Sequence, residues 1–192
     1  MRSAGAFLAG PGPERFDRAV DAAFDRIRGN GVADAVMYGA SAVGDHGMLW
    51  VGLAALRAAR ERERGELVRM VAVMAAESVF VNLGVKSLFR RRRPVVDVPR
   101  PYHLRIPLTS SFPSGHATSA FCAAAVLSEG SPAGPAYYAL AAVVAASRVH
   151  VRIHHASDVV AGVALGTVVG RLARRIWPRG ESRPRVAVFR RV

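Results

Sequence analysis

Phe16, Val20, Ala23, Phe24 and Ile27 fall at helical spacing with arginine and aspartate opposite them, which predicts an amphipathic helix over 14–28. Gly29-Asn30-Gly31 is expected to end it. Such a helix can lie along a membrane surface or pack on a core. Five apolar segments follow, at about 33–56, 67–89, 113–129, 135–150 and 156–173. They are separated by an Arg/Glu-rich stretch at 57–66, a Pro/Arg-rich stretch at 90–112, residues 130–135 and a short polar stretch near 150–155. Crossing a bilayer takes roughly 20 mostly apolar residues. The first two segments reach that length with Asp45, His46 and Glu77 as interruptions; the last three are shorter and alanine-rich. The pattern predicts an all-α bundle, and hydropathy alone fits either a soluble bundle or a membrane one.

Beyond about residue 174 the tail is basic, with little periodicity outside 186–189, and reads as a solvated end beside a membrane with Trp177 at the interface. Residues 1–13 hold too brief an apolar run for the core of a signal peptide. No repeat or low-complexity linker divides the chain, so a single domain over 1–192 is expected.

Composition narrows the class. At 51% hydrophobic residues the chain is too apolar for disorder. A net charge of +13 points to an anionic partner: nucleic acid, lipid headgroups or a phosphate substrate. The single cysteine, Cys122, excludes an internal disulfide and reads as a small buried residue.

Candidate chemistry lies in three separated motifs. Lys86, Arg93 and Pro94 form K-x6-R-P, and Lys86 is the only lysine beside 26 arginines. Pro113-Ser114-Gly115-His116 comes second, and Ser147-Arg148, His154 and Asp158 form S-R-x5-H-x3-D. On a helix His154 and Asp158 would share one face, the carboxylate fixing the imidazole tautomer. His154 could then attack phosphorus. Proline and serine suit a helix start, whose free N–H groups bind anions, and glycine lets the backbone approach an oxyanion closely. His116 there could protonate a leaving oxygen. Lys86, Arg93 and Arg148 would stabilise charge on the phosphoryl oxygens, both arginines gripping in bidentate fashion. Arg90, Arg91 and Arg92 read as a solvated basic run. A rival reading takes His150, His154 and Asp158, each four apart, as metal ligands, against the repulsion of Arg148 and Arg152.

Taken together the motifs resemble the signature of the type 2 phosphatidic acid phosphatase (PAP2) superfamily, which also includes bacterial acid phosphatases and vanadium haloperoxidases. The match spans 86–158, and the interval between His116 and Ser147 is short. The resemblance implies an all-α, haloperoxidase-like core, here an integral membrane bundle with about five spans plus the N-terminal amphipathic helix. It implies hydrolysis of a phosphomonoester or diphosphate through a phosphohistidine, with no metal and no cofactor. His154, His116 and Asp158 would be the catalytic set; Lys86, Arg93, Ser114, Gly115 and Arg148 would bind phosphate.

Membrane members act on phosphatidate, phosphatidylglycerophosphate and polyprenyl phosphates or diphosphates such as undecaprenyl diphosphate. The compact form is similar to small actinobacterial members, some assigned to removing the 5-phosphate from decaprenylphosphoryl-phosphoribose in cell-wall arabinan synthesis. The expected partners are therefore a lipid or polyprenyl phosphate and a plasma membrane crossed several times, not nucleic acid. The site is expected on the extracytoplasmic face, toward which the balance of basic residues leans only slightly. A basic membrane protein that binds nucleic acid or anionic lipid would explain the charge but not the histidines, the aspartate or the Ser-Gly turn. A haloperoxidase would share the anion site, but such proteins are usually larger and soluble.

Overall fold

The computed structural model describes residues 10–96, 100–107 and 109–180, and all regular structure among them is helical. The outermost positions of the predicted tail lie outside the described residues. Helix α1 spans Pro11–Asp25 and α2 spans Gly31–Val43. Then come α3, Met48–Glu61, and α4, Arg64–Val79, which continues through a π-helical turn Phe80–Gly84 and a 3₁₀ turn Val85–Leu88. Helices α5, Gly115–Leu127, α6, Gly134–His150, and α7, Ala156–Ile176, complete the bundle.

Several boundaries differ from the sequence expectation for identifiable reasons. Helix α1 begins earlier because prolines occupy its first turn, where a missing N–H costs nothing. Asn30 does not end α1; its side chain caps α2, accepting from the N–H groups of Val32 and Ala33. The apolar segment 33–56 is not one span: Gly47 takes a left-handed conformation (φ 71°) and breaks it into α2 and α3. The 57–66 stretch is largely helical, with Arg57 buried and donating to the carbonyls of Leu127 and Glu129 at the end of α5. Among the described residues, two continuous helical segments, Arg64–Leu88 and Ala156–Ile176, are long and apolar enough to cross a membrane.

The pairing that sets the site is α5 on α7. Gly162, Gly166 and Gly170 line one face of α7 at four-residue spacing, and a Cβ at Gly166 would sit 2.1 Å from the Thr118 carbonyl oxygen. Only hydrogen fits there, so the two backbones touch, as small residues permit between helices in lipid. The same contact brings the start of α7 to the start of α5, where Ser114 N–H donates to the Asp158 carbonyl at 3.0 Å. Around this pair, Trp50, Met70, Leu127 and Val144 fill the main core. Val20 and Phe24 of α1 pack against Ala145, Val149, Ala156 and Val159.

Candidate active site

His154 is not on a helix. Helix α6 ends at His150, Arg152 takes a left-handed conformation (φ 53°), and the N–H groups of Ile153 and His154 both return to the Arg148 carbonyl. Helix α7 starts at Ala156 with His155 as its N-cap, so Asp158 sits in its first turn. His154 Nδ1 and Asp158 Oδ2 face each other across 3.7 Å, beyond direct hydrogen-bonding distance. Ser111 lies beside both. Its Oγ donates to Asp158 Oδ2 at 2.6 Å and stands 3.4 Å from His154 Nδ1. Asp158 Oδ2 also accepts the His155 N–H at 2.9 Å, while Oδ1 accepts from Arg91 Nη1 at 2.5 Å.

Two expectations change here. His154 and Asp158 meet across a turn instead of along a helix face. Arg91 is no solvated surface residue: unlike exposed Arg90 and Arg92 it is half-buried and ion-paired to both Asp158 and Asp17. Ser111, Arg91 and Asp17 were missed by sequence reasoning. Of the three, only Ser111 carried a local signal, since it stands two residues before the Pro113–His116 block.

The cationic groups gather around the same imidazole. Arg93 Nη1 lies 3.2 Å from His154 Nε2, and the rest of its guanidinium donates to the carbonyls of Pro107, Thr109, Ser110 and Ile153. All five of its N–H groups are thereby occupied. This corrects the expected bidentate grip: the hydrogen aimed at His154 is the one Arg93 can turn to an anion without breaking a backbone contact. Arg148 has the opposite balance. It is 1% exposed and donates from Nη1 to Ser41 Oγ, while its Nε and Nη2 are buried without a hydrogen-bond partner. Buried unpaired donors are costly, and an anion's oxygens would satisfy both.

Lys86 is buried, its Nζ 3.4 Å from Thr109 Oγ1 and 3.5 Å from where a Cβ on Gly115 would lie. Ser114 caps α5, accepting from Ala117 N–H, and His116 follows in the first turn. His116 Nε2 lies 3.0 Å from Asp45 Oδ1, though not aligned for a hydrogen bond. Lys86, Arg93, Arg148, His116 and His154 are close enough for their charges to interact. Burial pushes the His154 imidazole down to about 4, and Arg148 and Arg93 add to the effect against the opposing pull of Asp158. The ring is therefore neutral near pH 7, with a lone pair available.

His150, the third member of the rival ligand set, turns away to Asp34 at 2.8 Å. No group of three or more metal-ligating His, Cys, Asp or Glu side chains occurs among the described residues. A cavity of ≈ 570 Å³ opens beside Lys86, Gly115 and His116, and its lining mixes apolar Val71 and Met74 with polar Asp45, Glu77 and Asn82.

A helical bundle that brings two histidines, an oriented carboxylate and three cations to one end has the make-up of a phosphoryl-transfer enzyme. The comparisons with known proteins agree. The PAP2 superfamily model matches residues 66–181. Decaprenylphosphoryl-5-phosphoribose phosphatase of Mycobacterium tuberculosis is 40% identical over 139 residues, 69% of this chain and 73% of that protein. The transmembrane PAP2-type phosphatidylglycerolphosphate phosphatase of Bacillus subtilis superposes with a TM-score of 0.70 at 25% identity, covering 89% of both chains. Aquifex aeolicus LpxE shares the fold, with a TM-score of 0.65 at 22% identity over 84% of this chain and 93% of its own. The chain belongs to the PAP2 superfamily. It is a membrane protein and a metal-independent phosphatase.

Proposed function

We propose that this protein removes the terminal phosphate from a polyprenylphosphoryl sugar phosphate, with decaprenylphosphoryl-5-phosphoribose the substrate its similarity favours. The observation that carries the chemistry is Arg148. Two buried, unpartnered N–H donors beside a neutral imidazole make a ready seat for a phosphoryl group. His154 Nε2 attacks phosphorus in line, forming a P–N bond as the P–O bond to the leaving alcohol breaks. Arg148, Lys86, the Arg93 hydrogen facing His154, and the free N–H groups at the start of α5 hold the phosphoryl oxygens. Ser114 caps that helix start, and Gly115 keeps the approach to it open. Ser111 and Asp158 hold the ring by its Nδ1–H. His116 is neutral in the resting site, takes up a proton as the anionic substrate enters beside Asp45, and donates it to the leaving oxygen. It then takes one from the water that attacks the phosphohistidine and releases inorganic phosphate.

The cavity beside His116 is where the leaving group goes. Its polar lining residues suit a hydroxylated headgroup and its apolar ones suit the first part of a lipid chain. In this reading the plasma membrane is crossed by several helices, α1 lies along its surface, and the site faces the extracytoplasmic side. The Bacillus subtilis neighbour supports a second reading, a phosphatidylglycerophosphate phosphatase with the same chemistry.

The test is phosphate release in detergent from polyprenylphosphoryl-5-phosphoribose, phosphatidylglycerophosphate, phosphatidate and undecaprenyl diphosphate, with His154→Ala as control. The sugar phosphate should give the highest kcat/KM, and the control should lose more than about 10³-fold. Preference for phosphatidylglycerophosphate selects the second reading. Wild-type turnover by the control would end the phosphohistidine mechanism.

A further inference from the structure

We propose that Asp17, on α1, is a positioning residue for the active site, acting through Arg91 on the carboxylate that orients His154. The proposal rests on the reading of His154 as nucleophile and Asp158 as its orienter.

Asp17 is 7% exposed although it sits on a helix whose other acidic residues, Glu14, Asp21 and Asp25, are more accessible. A carboxylate buried against an apolar seam is costly unless its oxygens are satisfied. Here both are. Oδ1 accepts the Ser157 N–H at 2.7 Å, one of the open amides in the first turn of α7. Oδ2 accepts from Ser157 Oγ at 2.9 Å and from Arg91 Nη2 at 2.6 Å. Asp17 thus caps, from another helix, the helix that carries Asp158.

Arg91 makes the link directional. Its Nη2 is held by Asp17, while Nη1 donates to Ser157 Oγ at 2.7 Å and to Asp158 Oδ1 at 2.5 Å. The guanidinium is planar, so fixing one nitrogen on Asp17 fixes the direction from which the other reaches Asp158. Arg91 takes Oδ1, which leaves Oδ2 for Ser111 and the His154 side. Without Asp17 the guanidinium keeps only Ser157 Oγ and Asp158 and can pivot on them. The carboxylate, still held by Ser111 and the His155 N–H, then loses the fixed contact on Oδ1 that sets its pose toward His154. Helix α1 therefore completes the site although none of its residues belongs to the proposed catalytic or phosphate-binding set.

The experiment uses the full chain in detergent with Asp17→Asn, which keeps shape and removes charge. Phosphate release gives kcat and KM, and ¹⁵N NMR of labelled histidines gives the His154 ring signals, identified by their loss in His154→Ala. The expected result is a fall in kcat of about 10-fold with KM within about 2-fold, as for an orienting group that does not touch substrate. The His154 ring signals should shift in the direction produced by Asp158→Asn, by a smaller amount. Asp17→Glu should restore part of the rate. An unchanged kcat or an unmoved His154 signal overturns the proposal, while wild-type turnover in His154→Ala would instead overturn the mechanism beneath it. If Asp17→Asn does not fold, Ser157→Ala carries the test. It removes one contact to Asp17 and one to Arg91 but leaves the backbone link, and the same two readouts decide.

Discussion

Arg93 Nη1 and His154 Nε2 lie 3.2 Å apart, and this contact identifies the tautomer of the imidazole. A guanidinium has no acceptor, so the shared hydrogen belongs to the arginine and Nε2 carries a lone pair. The ring proton is then on Nδ1, facing Ser111 and Asp158. The proposed attack through Nε2 requires that tautomer, which these contacts favour in the unliganded protein.

The ionisation of His154 gives the first prediction. An unperturbed histidine gains its proton near pH 6.5, but burial moves this one to about 4. The shift is downward, so the neutral, nucleophilic form should persist as pH falls from 7 to 5 and be lost only as it passes through about 4. In ¹⁵N NMR of the detergent-solubilised protein, the His154 signals should show no protonation at pH 5.5. A midpoint at 6.5 or above would contradict this.

Much of this arrangement is legible in the sequence because its parts are local. The Pro113–His116 block predicts a helix start, and a serine-capped helix is present there. The apolar runs predict α5, α6 and α7 to within a few residues. What escapes is set by contacts between distant segments. Arg91 is lost within a run of four arginines, and its distant partners Asp17, Ser157 and Asp158 distinguish it from exposed Arg90 and Arg92. The break between α2 and α3 turns on one left-handed glycine, Gly47, inside an otherwise apolar stretch. That break places Ser41 against Arg148 and Asp45 beside His116.

Ser111 supplies the second prediction. Because Nδ1 and the carboxylate are 3.7 Å apart, the hydroxyl between them carries much of the coupling. Ser111→Ala should lower kcat about 10-fold, less than the loss of about 10²-fold or more expected for Asp158→Asn. KM should stay near wild type and the fold should be unchanged by circular dichroism. Kinetics equal to wild type would mean that His154 meets Asp158 directly during turnover.

A stability prediction follows from the glycine face of α7. A methyl at Gly166 would overlap the Thr118 carbonyl at 2.1 Å, and backbone cannot move aside as a flexible side chain can. Gly166→Ala should therefore cost about 3 kcal/mol, at the upper end of overpacking. Gly52→Ala, where nothing lies within 4 Å, should be neutral or slightly stabilising. Thermal unfolding in detergent compares the two, and equal melting temperatures would mean that α5 and α7 are not in backbone contact.

The last prediction concerns Arg148, whose Nε and Nη2 are the unpartnered donors. Arg148→Lys keeps the charge but replaces two parallel donors by one ammonium on a shorter stem, which cannot hold Ser41 and two phosphoryl oxygens together. Arg93 cannot compensate, since four of its N–H groups are committed to backbone carbonyls and the fifth, facing His154, is already assigned to the phosphoryl group. The loss should fall on kcat/KM, by about 10²-fold, because the missing contacts bind the phosphoryl group in both the ground and the transition state. Vanadate, which adopts the trigonal-bipyramidal shape of the transferring phosphoryl group, should lose inhibitory strength in parallel. If Arg148→Lys kept wild-type kcat/KM and vanadate sensitivity, the buried donors would have a structural partner instead of a substrate, and the seat for phosphate would have to be sought around Lys86 alone.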